Sequence, residues 1–359
     1  MQLLADPVSS EGTVDSGRAA SGHSEAPRIL RSDQEAGELS RLDLDLIEQL
    51  QLDGRVPYAA LARQVGVTEK TVRRRVSHLL EENYIQISAV TDPALLGFRA
   101  MAIVLLSVDG TRSPAELAGQ LALLPEVDYV TVTTGPFAVQ AEVICVDGKE
   151  LHDVVSDKIR RLSGVREVEV LPYLRLHYQE ARFSGVRVDD GRTGVRPRAL
   201  DDTDRVIIAR LAGNGRASFR QLSAELDVSE TMVRQRYARL VDSGAVRVMC
   251  IVNPLRLGFR STCWVGLKLD QGAKAVEVAE SLTQLPVVSY VAITAGRFDV
   301  LAEVVTSDGE ALLKVLDDQI RSLDGVRSLD TWLYLDLHYK ALQPRQGPGP
   351  AHARDIQTV

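Results

Sequence analysis

Four cations, Lys70, Arg73, Arg74 and Arg75, crowd one short stretch of the chain between Thr68 and Leu80. With the hydroxyls of Thr68 and Thr71 beside them, they have the chemistry to hold phosphate oxygens and to read base edges, since Arg favours guanine in the major groove. Val72, Val76, Leu79 and Leu80 recur at i, i+4, i+7 and i+8, so the stretch reads as an amphipathic helix with one buried stripe. Thr68 stands ahead of it as N-cap. The cations then lie on the solvent side and begin in the first turn, where the helix macrodipole disfavours positive charge. A docked phosphate would offset that cost. A basic helix face taken alone is only a solvated face, and its meaning comes from what precedes it. Ala59 to Val65 reads as a short helix with Leu61, Ala62 and Val65 inward, and Gly66-Val67 supplies a tight turn. Helix, turn and second helix form the helix-turn-helix arrangement, whose second helix enters the DNA major groove.

Other chemistry is sparse. Cys145, Cys250 and Cys263 lie in strand-like apolar contexts without C-x-x-C spacing, which argues against both a disulfide framework and a zinc site. His177-Tyr178 and His338-Tyr339 are the only candidates for a catalytic cluster, each near the end of a strand. Walker, dinucleotide, HExxH and G-x-S-x-G signatures are absent from the sequence. No catalytic residue, resident cofactor or metal is expected.

The 359 residues carry a net charge of −7, opposite to the usual footprint of a nucleic-acid binder. Local charge decides the matter within a Debye length of about 10 Å. Between Pro57 and Leu80, five Lys or Arg oppose the single acid Glu69. The field is polarised. The opening residues lack the basic start and apolar core of a signal peptide, and no apolar run is long enough to span a bilayer, so a cytoplasmic protein without membrane contact is expected.

The elements that position these residues occur twice. Asp53-Gly54-Arg55 returns as Asn214-Gly215-Arg216, and the same offset of 161 (216 − 55) pairs Val72 with Val233, Arg73 with Arg234, Arg75 with Arg236, Gly135 with Gly296, Glu142 with Glu303 and His177 with His338. The chain is therefore two copies of one unit joined by an Arg/Gly-rich linker. The expected division is a disordered tail over 1–38, a helix-turn-helix domain over 39–98, an αβ domain over 99–180, a linker over 181–199, a second helix-turn-helix domain over 200–259, a second αβ domain over 260–341 and a disordered tail over 342–359. Ser218 with Gln221 forms a capping box that fixes the start of one helix in the second copy. Val90 to Gly97 and Val252 to Gly258 read as a connecting strand and hinge.

Beyond the hinge, apolar runs and period-two alternation give the order β-α-β-β-α-β, a ferredoxin-like unit with an open four-stranded sheet and helices on one face. The fold class is α+β, two copies of a helix-turn-helix domain followed by a ferredoxin-like domain. Each free sheet face needs covering, and the other copy supplies a sheet in the same chain.

A helix-turn-helix followed by β-α-β-β-α-β, with Leu39, Asp43, Asp53-Gly54-Arg55, Gly66-Val67, Val72, Arg75-Val76 and Leu79 in one copy and Asp204, Gly215-Arg216, Val233, Arg236, Leu240 and Gly296 to Asp299 in the other, resembles the Lrp/AsnC family of bacterial and archaeal transcription regulators. The resemblance covers both units. It implies a sequence-specific DNA-binding regulator whose αβ domain oligomerises and senses an amino acid or another small metabolite. This chain then resembles a family dimer made covalent, with double-stranded DNA bearing a pseudo-palindromic operator as partner, and further homo-oligomerisation through the αβ domains. The matching DNA-contacting positions are Thr68, Lys70, Thr71, Arg73, Arg74 and Arg75, with Ser229, Thr231, Arg234, Gln235 and Arg236 in the second copy.

Two departures stand out. Lys70 corresponds to Thr231 and Arg74 to Gln235, so the operator is expected to have unequal half-sites. The first copy reads Gly135-Pro136-Phe137-Ala138 where the second reads Gly296-Arg297-Phe298-Asp299. An effector's ammonium group needs a carboxylate such as Asp299, which places the expected effector site at Thr294, Gly296, Arg297, Phe298 and Asp299 with Gly135; the other reading of Asp299 is a turn residue capping backbone. A family of tetrapyrrole-modifying decarboxylases resembles the same two-domain unit and supplies the rival, enzymatic reading.

Overall fold

The computed structural model describes residues 39–179 and 199–339; the tails and most of the linker lie outside the described residues. Each copy opens with three helices. In the first they are α1 (Arg41–Leu52), α2 (Tyr58–Val65) and α3 (Glu69–Glu81). The start of α1 is fixed by a capping box in which the Ser40 hydroxyl accepts from the Asp43 N–H and the Asp43 carboxylate accepts from the Ser40 N–H. Gly66 takes the left-handed conformation at φ 72° to end α2. Thr68 caps α3 by accepting from the Thr71 N–H at 3.2 Å. Strand β1 (Ile85–Val90) follows, then a single 3₁₀ turn over Pro93–Leu96.

The ferredoxin-like part comprises β2 (Ala100–Val108), α4 (Pro114–Ala122), β3 (Val127–Thr133), β4 (Val139–Cys145), α5 (Gly148–Asp153), which runs on as a π-helical turn over Val154–Ile159, and β5 (Val165–Gln179). The second copy repeats this as α6 (Asp202–Gly213), α7 (Phe219–Leu226), α8 (Glu230–Asp242), β6 (Arg247–Val252), β7 (Ser261–Leu269), α9 (Ala275–Thr283), β8 (Val288–Thr294), β9 (Val300–Thr306), α10 (Gly309–Lys314) with its own π-helical turn, and β10 (Val326–Tyr339).

The expected open sheets are closed. All eight strands form one antiparallel barrel in the order β10-β3-β4-β2-β5-β8-β9-β7. The long last strand of each copy makes the closure. β5 pairs with its own β2 as far as Pro172, then with β8 of the other copy from Tyr173 onward. β10 pairs with β7 up to Leu333 and with β3 from Tyr334. An open sheet leaves two edges of unpaired N–H and C=O groups, and joining the copies edge to edge removes all four.

Closure explains why β2 reads as a continuous apolar run. Ala102, Val104 and Leu106 face the helices outside the barrel, whereas Ile103 and Leu105 face its interior, and both sets are fully buried. The barrel interior is completed by Phe137, Leu171, Trp264, Tyr290, Phe298, Leu301, Trp332 and Tyr334.

The connecting strand lies five residues earlier than the sequence reading put it. Ile85–Val90, not Val90 to Gly97, is the strand, and Arg247–Val252 is its counterpart. The two pair antiparallel with each other across the copies, Ile85 opposite Val252 and Val90 opposite Arg247, so neither has a partner in its own half. One hydrophobic core runs under both helical triplets and this two-stranded sheet. The two helix-turn-helix heads are thereby one body.

Candidate nucleic-acid interface

The body is tied at its centre by the repeated Gly-Arg pair. The Gly54 N–H donates to the Val248 carbonyl at 3.1 Å and the Gly215 N–H to the Ile87 carbonyl at 2.8 Å, each reaching the other copy's strand. A Cβ on Gly215 would stand 2.8 Å from the Ile87 oxygen, and one on Gly54 would stand 3.0 Å from the Val248 oxygen. At Gly215 only glycine allows so close an approach, and at Gly54 a side chain would have to push its neighbour back. Arg55 then donates to the carbonyls of Gly215 and Ala217, while Arg216 donates to those of Gly54 and Val56. Arg55 lies over the rings of Phe219 and Tyr237, and Arg216 lies 4.1 Å from the Tyr58 centroid. Burial lowers both guanidinium groups from their ordinary value, and arginine stays charged through such shifts.

On this frame α3 and α8 are the second helices of the two heads. Their inward stripes are Val72, Val76 and Leu79 in α3, and Val233 and Leu240 in α8. Lys70, Arg73 and Arg74 are exposed on α3, as are Thr231, Arg234 and Gln235 on α8. Arg73 pairs with Glu69 one turn back at 2.9 Å, and Arg234 pairs with Glu230 at 2.7 Å. These i,i+4 pairs in water are worth only tenths of a kcal/mol and open readily to a phosphate. Lys70 and Arg74 make no ion pair with another described residue. Thr68 and Ser229 both serve as N-caps, Ser229 accepting from the Met232 N–H at 3.2 Å, and Thr71 shares its hydroxyl with Thr68 at 2.9 Å.

Two residues expected on the DNA surface are engaged inside the heads. Arg75 pairs with Asp43 at 3.2 Å, a carboxylate only 1% exposed, and also donates to the Ser40 hydroxyl. Arg236 donates to Asp201 and to the buried Asp204, which Arg239 also reaches at 2.8 Å. A buried carboxylate loses much of its hydration and requires such a partner. Arg75 and Arg236 thus hold α3 on α1 and α8 on α6. The signal in the sequence was the paired spacing Asp43/Arg75 and Asp204/Arg236, both 32 residues apart.

The residues expected to hold an effector are used to build the barrel. Phe298 is 2% exposed and stacks on Trp332, with centroids 5.6 Å apart. The Thr294 hydroxyl donates to the Phe298 carbonyl at 2.8 Å. Arg297 pairs with Glu169 of the other copy at 2.9 Å and lies over Phe137. Gly296 and Gly135 take the left-handed turn conformation, at φ 126° and 87°. Asp299 is exposed, but its carboxylate accepts the Leu269 N–H at 2.9 Å. An incoming ammonium group would compete with this strand-end hydrogen bond, which is the arrangement the capping reading of Asp299 describes.

The histidines do not converge. His177 on β5 meets Glu280 of α9 at 3.0 Å, and His338 on β10 lies beside Asp336. The three cysteines are buried, and burial, with the negative charge of Glu303 second, pushes the Cys263 thiol up to about 12. Among the described residues there is no cluster that would hold a metal ion, and no helix long and apolar enough to cross a membrane.

The AsnC-type helix-turn-helix domain matches residues 39–80 and 200–241, and the C-terminal dimeric alpha+beta barrel domain matches residues 99–185 and 269–342. Together they cover more than half of the chain, twice over in the order of the repeat. The chain belongs to the Lrp/AsnC family. An uncharacterised HTH-type transcriptional regulator of Pyrococcus abyssi is 31% identical over 133 residues, 37% of this chain and 84% of the relative. The HTH-type transcriptional regulator FL11 of Pyrococcus furiosus is 31% identical over 142 residues, 39% of this chain and 93% of the relative. These relatives match over the length of a single unit, and this chain holds two. Among solved structures, the siroheme decarboxylase NirDL superposes over 85% of this chain and 94% of its own with a TM-score of 0.56 at 16% identity, a likeness of fold.

Proposed function

We propose that the chain is a transcription regulator that presents both reading heads of one operator from a single polypeptide. The observation that carries this is the pairing of β1 with β6, together with the Arg55 and Arg216 crossings, which fixes α3 and α8 relative to each other while leaving the outer face of each exposed. A helix-turn-helix pair held in this way selects half-sites at a set spacing.

The heads are unequal. On α3, Lys70, Arg73 and Arg74 face solvent, whereas α8 offers Thr231, Arg234, Gln235 and the exposed Met232 in the corresponding places. The first head supplies the larger share of phosphate neutralisation and prefers guanine. The second contributes a glutamine suited to adenine. Footprinting on the DNA upstream of its own gene tests this: protection of two half-sites of different sequence and different salt sensitivity is expected, and equal protection of two identical half-sites would count against it.

Regulation by a small metabolite, without enzymatic turnover, completes the reading. His177 and His338 lie on β5 and β10, on opposite sides of the barrel, and this supports a non-enzymatic role. An absorbance titration with a tetrapyrrole tests the alternative that the NirDL fold raises: unchanged spectra fit the regulator, and a stoichiometric shift with loss of a carboxyl group as carbon dioxide would replace it.

A further inference from the structure

A cavity of about 620 Å³ lies where the two-stranded sheet that carries both heads meets the barrel. That volume falls within the range of small-molecule sites. One wall is Ile85, Gln86, Met249 and Ile251 of β1 and β6, and the opposite wall comes from the barrel, with Trp264, Tyr129 and Tyr290 as its aromatic part.

At the barrel side stand two carboxylates, Glu142 and Glu303, related by the offset of 161. Each is gripped by tyrosines from both copies. Glu142 accepts from Tyr173 of its own copy, at 2.6 Å, and from Tyr290 of the other. Glu303 accepts from Tyr334 of its own copy and from Tyr129 of the other, the latter at 2.7 Å. Neither makes an ion pair with a described residue. Around them the copies have diverged: Ile103 corresponds to Trp264, Leu171 to Trp332 and Gln140 to Leu301. The carboxylates and all four tyrosines are the same in both copies while these three neighbours are not. Asp128, Asp336 and His338 also line the cavity, and Arg256 is the only Arg or Lys among its described lining residues.

We propose that this cavity binds an organic dication, a linear diamine or polyamine, with one ammonium group on each of Glu142 and Glu303 and its methylene chain against the aromatic wall. Ammonium groups are favoured by a carboxylate and an aromatic face together. Burial raises the Glu142 carboxyl above its ordinary range by penalising its charge, and a bound cation relieves that penalty. The ligand would touch β1 and β6 on one side and the barrel on the other, so it acts on the frame that sets the head spacing. That last step rests on the regulator reading; the binding itself does not.

The experiment is isothermal titration of the full chain without DNA, in about 150 mM salt to screen surface acids. The probes are 1,4-diaminobutane and a triamine of similar spacing, with 1-aminobutane and 1,4-butanediol for comparison. Binding of one diamine per chain is expected, weaker for the monoamine and absent for the diol. Glu142→Gln and Glu303→Gln should each weaken it by about tenfold or more, the effect of losing one charge pair, with thermal unfolding confirming that each variant is folded. Ile251→Trp, which fills the cavity from the opposite wall and leaves both carboxylates in place, should also abolish it. Absence of binding by every amine, or binding unchanged in folded Glu142→Gln/Glu303→Gln or in folded Ile251→Trp, overturns the proposal. DNA affinity measured separately shows whether the regulator reading stands without it.

Discussion

Arg55 of the first copy and Gly215 of the second are joined by a hydrogen bond from guanidinium to carbonyl, across 160 residues of sequence. The mirrored contact runs from Arg216 to Gly54 at 2.8 Å, so the two heads hold each other by the same pair of residues twice.

Replacing Arg55 by alanine leaves the Gly215 and Ala217 carbonyls without their donor and removes the cation from the Phe219 and Tyr237 rings. A stability loss of about 1–3 kcal/mol is expected in urea unfolding. Arg55→Lys should recover little of it, because lysine cannot bridge two carbonyls while lying flat on a ring. The same variants should tolerate operators with altered half-site spacing that the parent rejects.

Neighbouring arginines on α3 should part company. Arg75→Ala leaves Asp43 buried without its cation, and a loss of about 3 kcal/mol or more is expected in thermal or chemical unfolding. Arg74→Ala should change stability by less than about 0.5 kcal/mol and weaken DNA binding instead. Adding Asp43→Asn to Arg75→Ala should restore part of the stability, and failure to do so would show that Asp43 is not the reason for the loss.

The barrel interior is complementary between copies. The Trp332 indole donates to Gln140 of the first copy at 2.6 Å, a side chain with no exposed surface. Two first copies together would have Ile103 and Leu171 where the mixed barrel has Trp264 and Trp332, leaving a void and a buried amide without this donor; two second copies would be overpacked. Fragments 39–180 and 199–341, produced together, are expected to co-elute as a one-to-one pair in size-exclusion chromatography, and neither alone should form a comparably stable dimer.

The carboxyl of Glu142 gives stability a pH dependence of definite sign. Burial raises it in the folded chain above the roughly 4.3 of an unfolded one. The folded state therefore binds this proton more tightly, and the contribution is fully present below about pH 4.3 and lost as pH rises through the raised value. Relative to the parent, Glu142→Gln should gain in melting temperature as pH is raised through that window, and a difference that is flat with pH would remove Glu142 as the cause.

Much of the fold was legible because it is written locally and twice. Capping residues, the Gly66 turn and the apolar periodicities of α1 to α3 need no distant partner to be read, and the offset of 161 gave a second reading of each. What the sequence hid depends on the other copy. Ile85–Val90 has no partner within its own half, so its strand was displaced into the following hinge, and the closure of the barrel depends on where β5 and β10 cross over at Pro172 and Leu333. At the site, the exposed face of α3 followed from the stripe it opposes. The engagement of Arg75, Arg236 and Asp299 did not, because each is settled by a group on another element: Asp43, Asp204 and the Leu269 N–H. The Glu142 and Glu303 pair lies inside apolar strands, and in the sequence it is two repeat positions among many.

The central claim, that one chain reads DNA with two unequal heads, is tested most directly by fluorescence anisotropy on its upstream DNA between about 50 and 200 mM salt, comparing Arg73→Ala/Arg74→Ala with Arg234→Ala/Gln235→Ala. The first pair should lower affinity by tenfold or more and reduce the salt slope by about 0.9 for each phosphate contact removed, while the second should leave the slope nearly unchanged and relax the choice of base in one half-site. Equal losses from the two pairs would contradict the inequality, and no loss from either would contradict DNA recognition through α3 and α8 altogether.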